Sequence, residues 1–434
     1  MKKRLRKALI LGVKLLVAAG LLYYVLGKVH WRDYAVTVDG EEMAVVATRV
    51  EDGRPAELQV RDSDSGRLRW LKGDAFRPVS LRSAEGETVI VRDCRPDWKS
   101  PKEYFVRLPS GRTRWMELDS FVLADAHVLR RGFLSTVQSA SPFLLLAAFA
   151  CFIAPRFILA LRWWYLLRIQ RIRIRLWEAV RLTFLGEFFN FVVPGTVSGD
   201  LVKAYYASKH TEHGAAALIS VFVDRAVGLL EFAMLPAVVM VALWLAVGWS
   251  DRLFMPAVVV AVVLAVVAMS LALLLSPALR QRLRLRKVFS RLPMQRHIDV
   301  LSEAANLYRR RRVALLKAVV ITFAGQVLFI AAIMLSGMSL ALPVPWYDYF
   351  LYVPLIYIIA AVPISPGGLG LAETFYVTFL VPAGAAASEV LALAVVVRLM
   401  PMIVSLPGLV VALKGPKLPA AEQMQAALAA RPDK

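Results

Sequence analysis

Long apolar runs separated by short charged segments dominate the pattern of this chain. A bilayer core of about 30 Å is crossed by a helix of about 20 apolar residues, and six runs reach that length. They are Ala8–Gly27, Pro142–Leu161, Leu218–Val247, Leu253–Ser276, Val313–Gly337 and Val390–Val411. The pattern predicts an all-α polytopic membrane protein. The first run follows a basic cluster and ends without a small-residue cleavage site, so residues 1–29 are expected to form an uncleaved signal-anchor helix.

Two further apolar stretches are interrupted in the middle. Trp177–Val202 is broken at Pro194-Gly195, and Tyr349–Pro382 is broken by a Pro- and Gly-rich segment over 363–370. Backbone breaks at membrane depth survive only where protein or a water-filled cavity surrounds them. We therefore predict two re-entrant hairpins, which would make 142–247 and 313–411 the same unit in opposite orientations. Inverted repeats with paired broken helices are typical of transporters.

The charge distribution supports this topology. The chain is 58% hydrophobic and 20% charged, with a formal net charge of +21. The basic excess is concentrated beside apolar runs in residues 2–7, 162–175 and 280–312, which is typical of cytoplasmic loops rather than of a nucleic-acid groove. Both termini are then cytoplasmic and residues 30–130 are extracytoplasmic. Two straight spans in place of the hairpins would put the basic segment 280–312 outside, against this rule.

Residues 30–130 have the short apolar and polar alternation of antiparallel β-structure. The hexapeptide Ser65–Trp70 recurs 45 residues later in related form as Ser110–Trp115. We predict two tandem β modules over 34–76 and 77–121, which resemble bacterial SH3-like modules. The Arg/Trp pairs of the repeat could bind an envelope partner, but a role for each tryptophan in its module's core is favoured.

Ionisable side chains at membrane depth are costly and are candidates for function. At the first break, an exposed helix N-terminus favours a phosphate or carboxylate, and a nearby lysine adds a positive charge. In the next predicted span, Gly228 shares a face with Asp224 and Glu231 and is expected to let another backbone approach closely. The candidate binding residues of this part are Asn190, Pro194, Gly195, Ser198, Gly199, Asp200, Lys203, Asp224 and Arg225.

The second break supplies a further set of candidate binding residues. They are Gly367, Gly368, Gly370, Glu373 and Arg398. Arg398 requires a partner in the membrane, and Glu373 is the expected one. Structural alternatives stay open, because Asp224-Arg225 and Glu373–Arg398 could each be a structural ion pair. Glu187 and Glu231 are expected near the interface or in structural hydrogen bonds.

The motifs argue against enzymatic chemistry. A nucleophile elbow, a phosphate-binding loop with its lysine and a paired zinc motif are all missing from the sequence. We therefore expect no catalytic residues, no metal and no cofactor. The expected partners are membrane lipids, including anionic lipid at the basic segment 280–312, and nucleic acid is not among them.

The motifs at the two breaks, together with Asp224-Arg225, resemble those of the lysylphosphatidylglycerol synthase transmembrane-region family. The resemblance covers about 142–413, with Ser198 and Lys203 standing where the family more often has glycine and arginine. It implies a flippase-like domain at 139–413, followed by a cytoplasmic tail at 414–434 without the family's aminoacyl-transferase domain. The implied function is movement of a phospholipid or lipid-linked headgroup across the bacterial cytoplasmic membrane. An accessory protein or enzyme of lipid-linked glycan metabolism and a non-transporting envelope scaffold are the alternatives.

Overall fold

A computed structural model describes most of the chain, and all structural statements below concern the residues that it describes. These are residues 2–51, 54–61, 67–72, 75–83, 88–95, 97, 102–108, 113–117, 120–192, 198–211, 214–248, 253–275, 311–362, 364–365, 368–414 and 423–424. Several predicted features lie outside them: the Pro194-Gly195 break, Gly367, nearly all of the basic segment 280–312 and most of the tail 414–434.

Helices account for most of the structure, as the apolar runs predict. They are α1 (Lys2–Leu26), α2 (Phe133–Gln138), α3 (Pro142–Ile169), α4 (Leu176–Val192), α5 (Ser198–Ser208), α6 (Gly214–Val247), α7 (Phe254–Leu275), α8 (Arg312–Ser339), α9 (Trp346–Ala360), α10 (Leu371–Leu380) and α11 (Ala387–Lys414). Within the described part of the chain, α3, α6, α8 and α11 are long and apolar enough to cross a bilayer. The apolar parts of α1 and α7 are shorter, Leu15–Leu26 and Phe254–Met269.

The segment between α1 and α2 forms two antiparallel sheets. The strands are β1 (Tyr34–Val36), β2 (Glu42–Glu51), β3 (Arg54–Arg61), β4 (Leu68–Lys72), β5 (Ser80–Ser83), β6 (Thr88–Arg95), β7 (Glu103–Arg107), β8 (Thr113–Glu117) and β9 (Phe121–His127). The first sheet has the order β1-β2-β3-β4, and the second has the order β8-β7-β6-β5-β9. Strands β5 to β8 thus repeat the meander of β1 to β4, and β4 and β8 begin 45 residues apart, like the hexapeptides.

The first repeated tryptophan lies outside its module core, so the favoured interpretation is wrong for Trp70. Trp70 is 37% exposed, and the first core is instead formed by residues such as Leu58 and Phe76. The next residue after each tryptophan, Leu71 or Met116, packs against its core. Successive side chains of a strand point to opposite faces, so turning Leu71 inward turns Trp70 outward.

The two ends of the β insert are held together beside the membrane helices. The Phe133 amide donates to the His30 carbonyl across 2.9 Å, and the Gly132 amide donates to Asp33 Oδ1 across 2.7 Å. The His30 amide also donates to Ser388 Oγ across 2.9 Å, at the start of α11. The β insert therefore leaves the membrane domain and returns to it at the same place.

Helices α3 to α6 and α8 to α11 follow one another with the same pattern. The first helix of each set has 28 residues, and both end in a turn with a left-handed residue, Arg171 at φ 62° or Ala341 at φ 53°. The next amide closes each turn across 3.0 Å, from Ile172 to Leu167 and from Leu342 to Gly337. In both sets, two shorter helices follow and then a long one.

The two sets pack against each other through equivalent helices. Helices α3 and α8 lie antiparallel, because the Ser141 amide at the start of α3 donates to the Ser339 carbonyl at the end of α8 across 2.9 Å. Helix α4 contacts α11 so closely that a Cβ on Gly408 would lie 2.2 Å from the Phe184 carbonyl oxygen. Helix α9 likewise contacts α6, so the second helix of each set packs against the fourth helix of the other set. One large core of buried apolar residues extends through both sets.

Candidate functional site

An ion pair links α5, the helix that follows the first break, to the long helix α6. Asp200 lies in the first turn of α5, and Arg225 lies in the first half of α6. Arg225 Nε donates to Asp200 Oδ2 across 2.5 Å. The arginine side chain is still 53% exposed, whereas Asp200 is nearly covered. Arg225 is therefore the more accessible member of the pair.

The second break has the corresponding pair. Arg398 Nε donates to Glu373 Oε1 across 2.6 Å, which confirms the predicted pairing. Glu373 also accepts the Gly370 amide at 2.8 Å, while Arg398 Nη2 donates to the Gly368 carbonyl at 3.3 Å. The pair thus fixes both the first turn of α10 and the glycine-rich segment before it. Gly368 and Gly370 have φ of +68° and +78°, a conformation that disfavours other residues.

The two pairs occupy the same positions in the two sets of helices. Each arginine follows its carboxylate by 25 residues. Each carboxylate is the third residue of its short helix, and each arginine is the twelfth residue of the long helix that follows. Sequence reasoning selected all four residues but did not predict that the first pair would join Asp200 to Arg225.

A second group of charges is buried between α3, α5 and α6. Arg162 Nε donates to Asp224 Oδ1 at 2.7 Å, and its Nη1 lies 3.3 Å from Glu231 Oε2. Lys203 Nζ lies 3.6 Å from Asp224 Oδ2 and 4.5 Å from the centre of the Trp163 ring. These contacts show that a structural pair between Asp224 and Arg225 is wrong, because each of the two has other partners.

Sequence reasoning missed Arg162, which is the centre of this group. The apolar pattern ends the predicted span at Leu161 and counts Arg162 among the cytoplasmic charges, but α3 continues to Ile169 and Arg162 is only 3% exposed. Arg156 was also missed, and its Nε lies 2.9 Å from Glu187 Oε2. The one available signal was their occurrence on an otherwise apolar helix. Half-buried Glu187 and buried Glu231 are thus both ion-paired.

Close backbone contact holds the first hairpin together. A Cβ on Gly199 would lie 1.8 Å from the Gly186 carbonyl oxygen, so α4 and α5 touch through two glycines. The Gly199 amide donates to Asn190 Oδ1 across 3.0 Å, which gives this predicted residue a capping role. Ser198 begins α5, and its side chain lies outside the described part. The expected backbone approach at Gly228 is wrong for the described residues, since a Cβ there would meet only Arg162 Nη atoms at 3.7 Å.

The buried group around Arg162 has no charged counterpart in the second set. At the equivalent helix positions, Arg162, Lys203, Asp224 and Glu231 correspond to Ala332, Tyr376, Val397 and Val404. The ion pairs at the breaks are therefore common to both sets, whereas the buried group is specific to the first. Its atoms can hold a phosphate through cations or a cationic group through carboxylates. Among the described residues, no three His, Cys, Asp or Glu side chains are grouped as metal ligands.

Comparison with known proteins identifies a family that matches about two thirds of the chain. The family model described as "Lysylphosphatidylglycerol synthase TM region" matches residues 121–408. The match begins at β9, ends within α11 and includes both ion pairs and the buried group of charges. A search of curated proteins finds no match.

Proposed function

The chain belongs to the lysylphosphatidylglycerol synthase transmembrane-region family, and on that premise we propose that it moves a phospholipid or lipid-linked headgroup between membrane leaflets. The single observation that carries the proposal is the occurrence of equivalent ion pairs at two breaks in membrane-embedded helices, beside one buried group of charges. Charges are costly in a bilayer and are retained mainly where they act on a substrate or ion.

We propose that the two sets of helices are inverted repeats. The antiparallel packing of α3 and α8 supports this, because equivalent helices of inverted units run in opposite directions. The matching turns after both helices and the matching 25-residue separations support it independently. The breaks then face opposite sides of the membrane, and each ion pair holds one of them closed.

The headgroup is proposed to bind beside the first break while the acyl chains stay in lipid. Arg225 is half exposed and can offer guanidinium hydrogens to a phosphate, and Lys203 adds a second cation. Asp200, Asp224 or Glu373 would contact a cationic part of the headgroup or carry a coupling proton. The ion pairs neutralise these charges, so a headgroup phosphate would compete with Asp200 for Arg225.

Alternating access follows from the repeat. Rocking one set against the other would open one break while the pair at the other stays closed, which exposes the site to each leaflet in turn. The sets would slide along the surfaces where α4 packs against α11 and α9 packs against α6.

We also propose a membrane topology and a cellular location for the protein. The charge rule places both termini in the cytoplasm and residues 30–130 outside the cytoplasmic membrane of a bacterium. Basic segment 280–312 would then contact anionic lipid on the inner surface. We further propose that the two β modules are SH3-like and that the chain has no enzymatic activity.

The test is a lipid-translocation assay with purified protein. Liposomes carry a small fraction of headgroup-labelled phosphatidylglycerol, phosphatidylethanolamine or polyprenyl phosphate, and a membrane-impermeant quencher is added outside. Protein-dependent quenching of the inner-leaflet pool, with and without a proton gradient, supports translocation. A chemically altered lipid would indicate a membrane enzyme instead. Unchanged lipid that stays protected under every condition would favour a scaffold.

A further inference from the structure

A cleft of about 370 Å³ lies where the second β module meets the membrane domain. One wall comes from the β module, through Val79 and Val91. The opposite wall comes from the membrane domain, through Pro343 and the turn over 381–386 that follows α10. Neither part of the protein forms this cleft alone, so the cleft joins the insert to the helices that carry the second break.

Two arginines and one glutamate supply the charges of the cleft. Arg130 and Arg131 come from the connection between β9 and α2, and Glu389 lies in the first turn of α11. Glu389 Oε2 accepts the Ala386 amide at 2.9 Å, so part of the hydrogen-bonding capacity of this carboxylate is already used. Two guanidinium groups against one carboxylate leave the cleft with an excess positive charge.

Arg130 is held in position and has an unused donor. Its backbone pairs with that of Tyr34 in both directions, at 2.8 and 2.9 Å, which fixes it against β1. Within the described residues, its buried Nε has no hydrogen-bond partner. The Arg130 side chain also hydrogen-bonds that of Tyr34, and the rest of its guanidinium, together with that of Arg131, matches the oxygens of a phosphate.

The position of the cleft favours a membrane lipid as the source of that phosphate. The end of α8, the start of α9, the end of α10 and the start of α11 all meet at this end of the membrane domain. Glu389 and Arg398 are nine residues apart on one helix, which places the cleft about 14 Å along α11 from the second ion pair. Exposed Trp346 at the start of α9 is the kind of residue found at a membrane surface.

We propose that this cleft binds the phosphate group of a lipid headgroup through Arg130 and Arg131. This proposal rests on the proposed function in one respect. The cleft would be the place where a transported headgroup docks, on the side of the membrane that carries the β modules. Binding itself does not require transport, so the two claims are tested separately.

The test is photocrosslinking of the full-length protein in maltoside micelles and phosphate-free buffer. The probe is phosphatidylglycerol with a diazirine in its headgroup, and crosslinked peptides are identified by mass spectrometry. We expect labelling of peptides containing 128–131 and 381–389. Arg130→Gln/Arg131→Gln should reduce it about tenfold because two charge-assisted contacts are lost, whereas Arg69→Gln, on a strand outside the cleft, should not change it.

Three further measurements keep the result decisive. Arg131 is exposed, so Arg131→Gln alone should fold normally and reduce labelling by a smaller factor. Equal labelling of the wild type and the double variant would overturn the site. Loss of labelling at inorganic phosphate concentrations no higher than that of the lipid probe would overturn the lipid as the source and indicate a site for soluble phosphate. If the protein translocates lipid but the cleft is not labelled, the cleft proposal is wrong and the proposed function stands. If the cleft is labelled but no lipid is translocated, the proposed function is wrong and the cleft proposal stands.

Discussion

Arg398 donates its Nε hydrogen to Glu373 across 2.6 Å and so ties the long helix α11 to the first turn of α10. The same arginine reaches the carbonyl of Gly368, so a single side chain holds both sides of a break. The first break has an equivalent pair at the same helix positions. This repetition is the main reason for regarding the ion pairs as parts of one mechanism.

Neutralising Glu373 should slow transport strongly without unfolding the protein. In Glu373→Gln the side-chain amide oxygen can still accept the Gly370 amide, but Arg398 loses its counter-charge. We expect the translocation rate to fall about tenfold or more, since a lost charge-assisted contact of this kind contributes about 1.5–3 kcal/mol. Glu178→Gln, which removes an exposed carboxylate beside His210, is the matched control. Equal rates for both variants would show that the second pair is structural.

Removing Arg162 should destabilise the protein more than removing a surface arginine. Arg162→Met leaves Asp224 and Glu231 buried without their main partner, which is expected to lower the free energy of unfolding by about 3–5 kcal/mol. Thermal unfolding in detergent measures this, and Arg168→Met, on an exposed residue that stacks on Trp164, is the control. Adding Asp224→Asn and Glu231→Gln should restore much of the loss. A triple variant no more stable than Arg162→Met would contradict the charge argument.

Two glycines of the first set should respond differently to the same substitution. Gly199→Ala places a methyl group against the Gly186 carbonyl and forces α4 and α5 apart, at an expected cost of about 1–3 kcal/mol. Gly228→Ala meets only ordinary contacts at 3.7 Å and gains helix propensity, so it should be neutral or stabilising. Unfolding midpoints in detergent provide the comparison. The argument for a tight hairpin fails if Gly199→Ala is tolerated as well as Gly228→Ala.

The β modules should tolerate loss of the first repeated tryptophan. Trp70→Ala should lower module stability by less than about 1 kcal/mol because the residue lies outside the core. Leu58→Ala, at a fully buried position, should cost about 2–5 kcal/mol. Hydrogen exchange of the β2 and β3 amides in the full-length chain reports both effects. A larger loss for Trp70→Ala would return this tryptophan to a structural role.

Deleting residues 34–121 distinguishes a translocator from a scaffold. The ends of the insert lie together at His30 and Phe133, so the helices can remain in place without the β modules. Translocation should be slower but measurable, because one wall of the cleft is lost while the breaks are kept. Complete loss of activity from a correctly folded deletion variant would favour the scaffold.

The sequence predicted the elements better than the contacts between them. Apolar length located the membrane helices, and the isolated charge of Arg398 correctly implied Glu373 as its partner. Arg162 was misplaced because its burial depends on α6, which lies about 60 residues away along the chain. Asp224 and Arg225 are adjacent in sequence, but adjacent helix residues do not face each other, and the tertiary packing gives them separate partners. Trp70 and Leu71 alternate in a strand, and the pattern alone could not assign the inner face.

The quenching assay with Asp224→Asn beside the wild type tests the central claim most directly. Asp224 contacts both Arg162 and Lys203, so its neutralisation disturbs the buried charges while leaving both ion pairs at the breaks in place. If the protein moves headgroups through this site, wild-type vesicles lose fluorescence beyond the outer-leaflet fraction, and Asp224→Asn vesicles with equal amounts of folded protein do not. The same extent of quenching in wild-type, variant and protein-free vesicles would contradict the account.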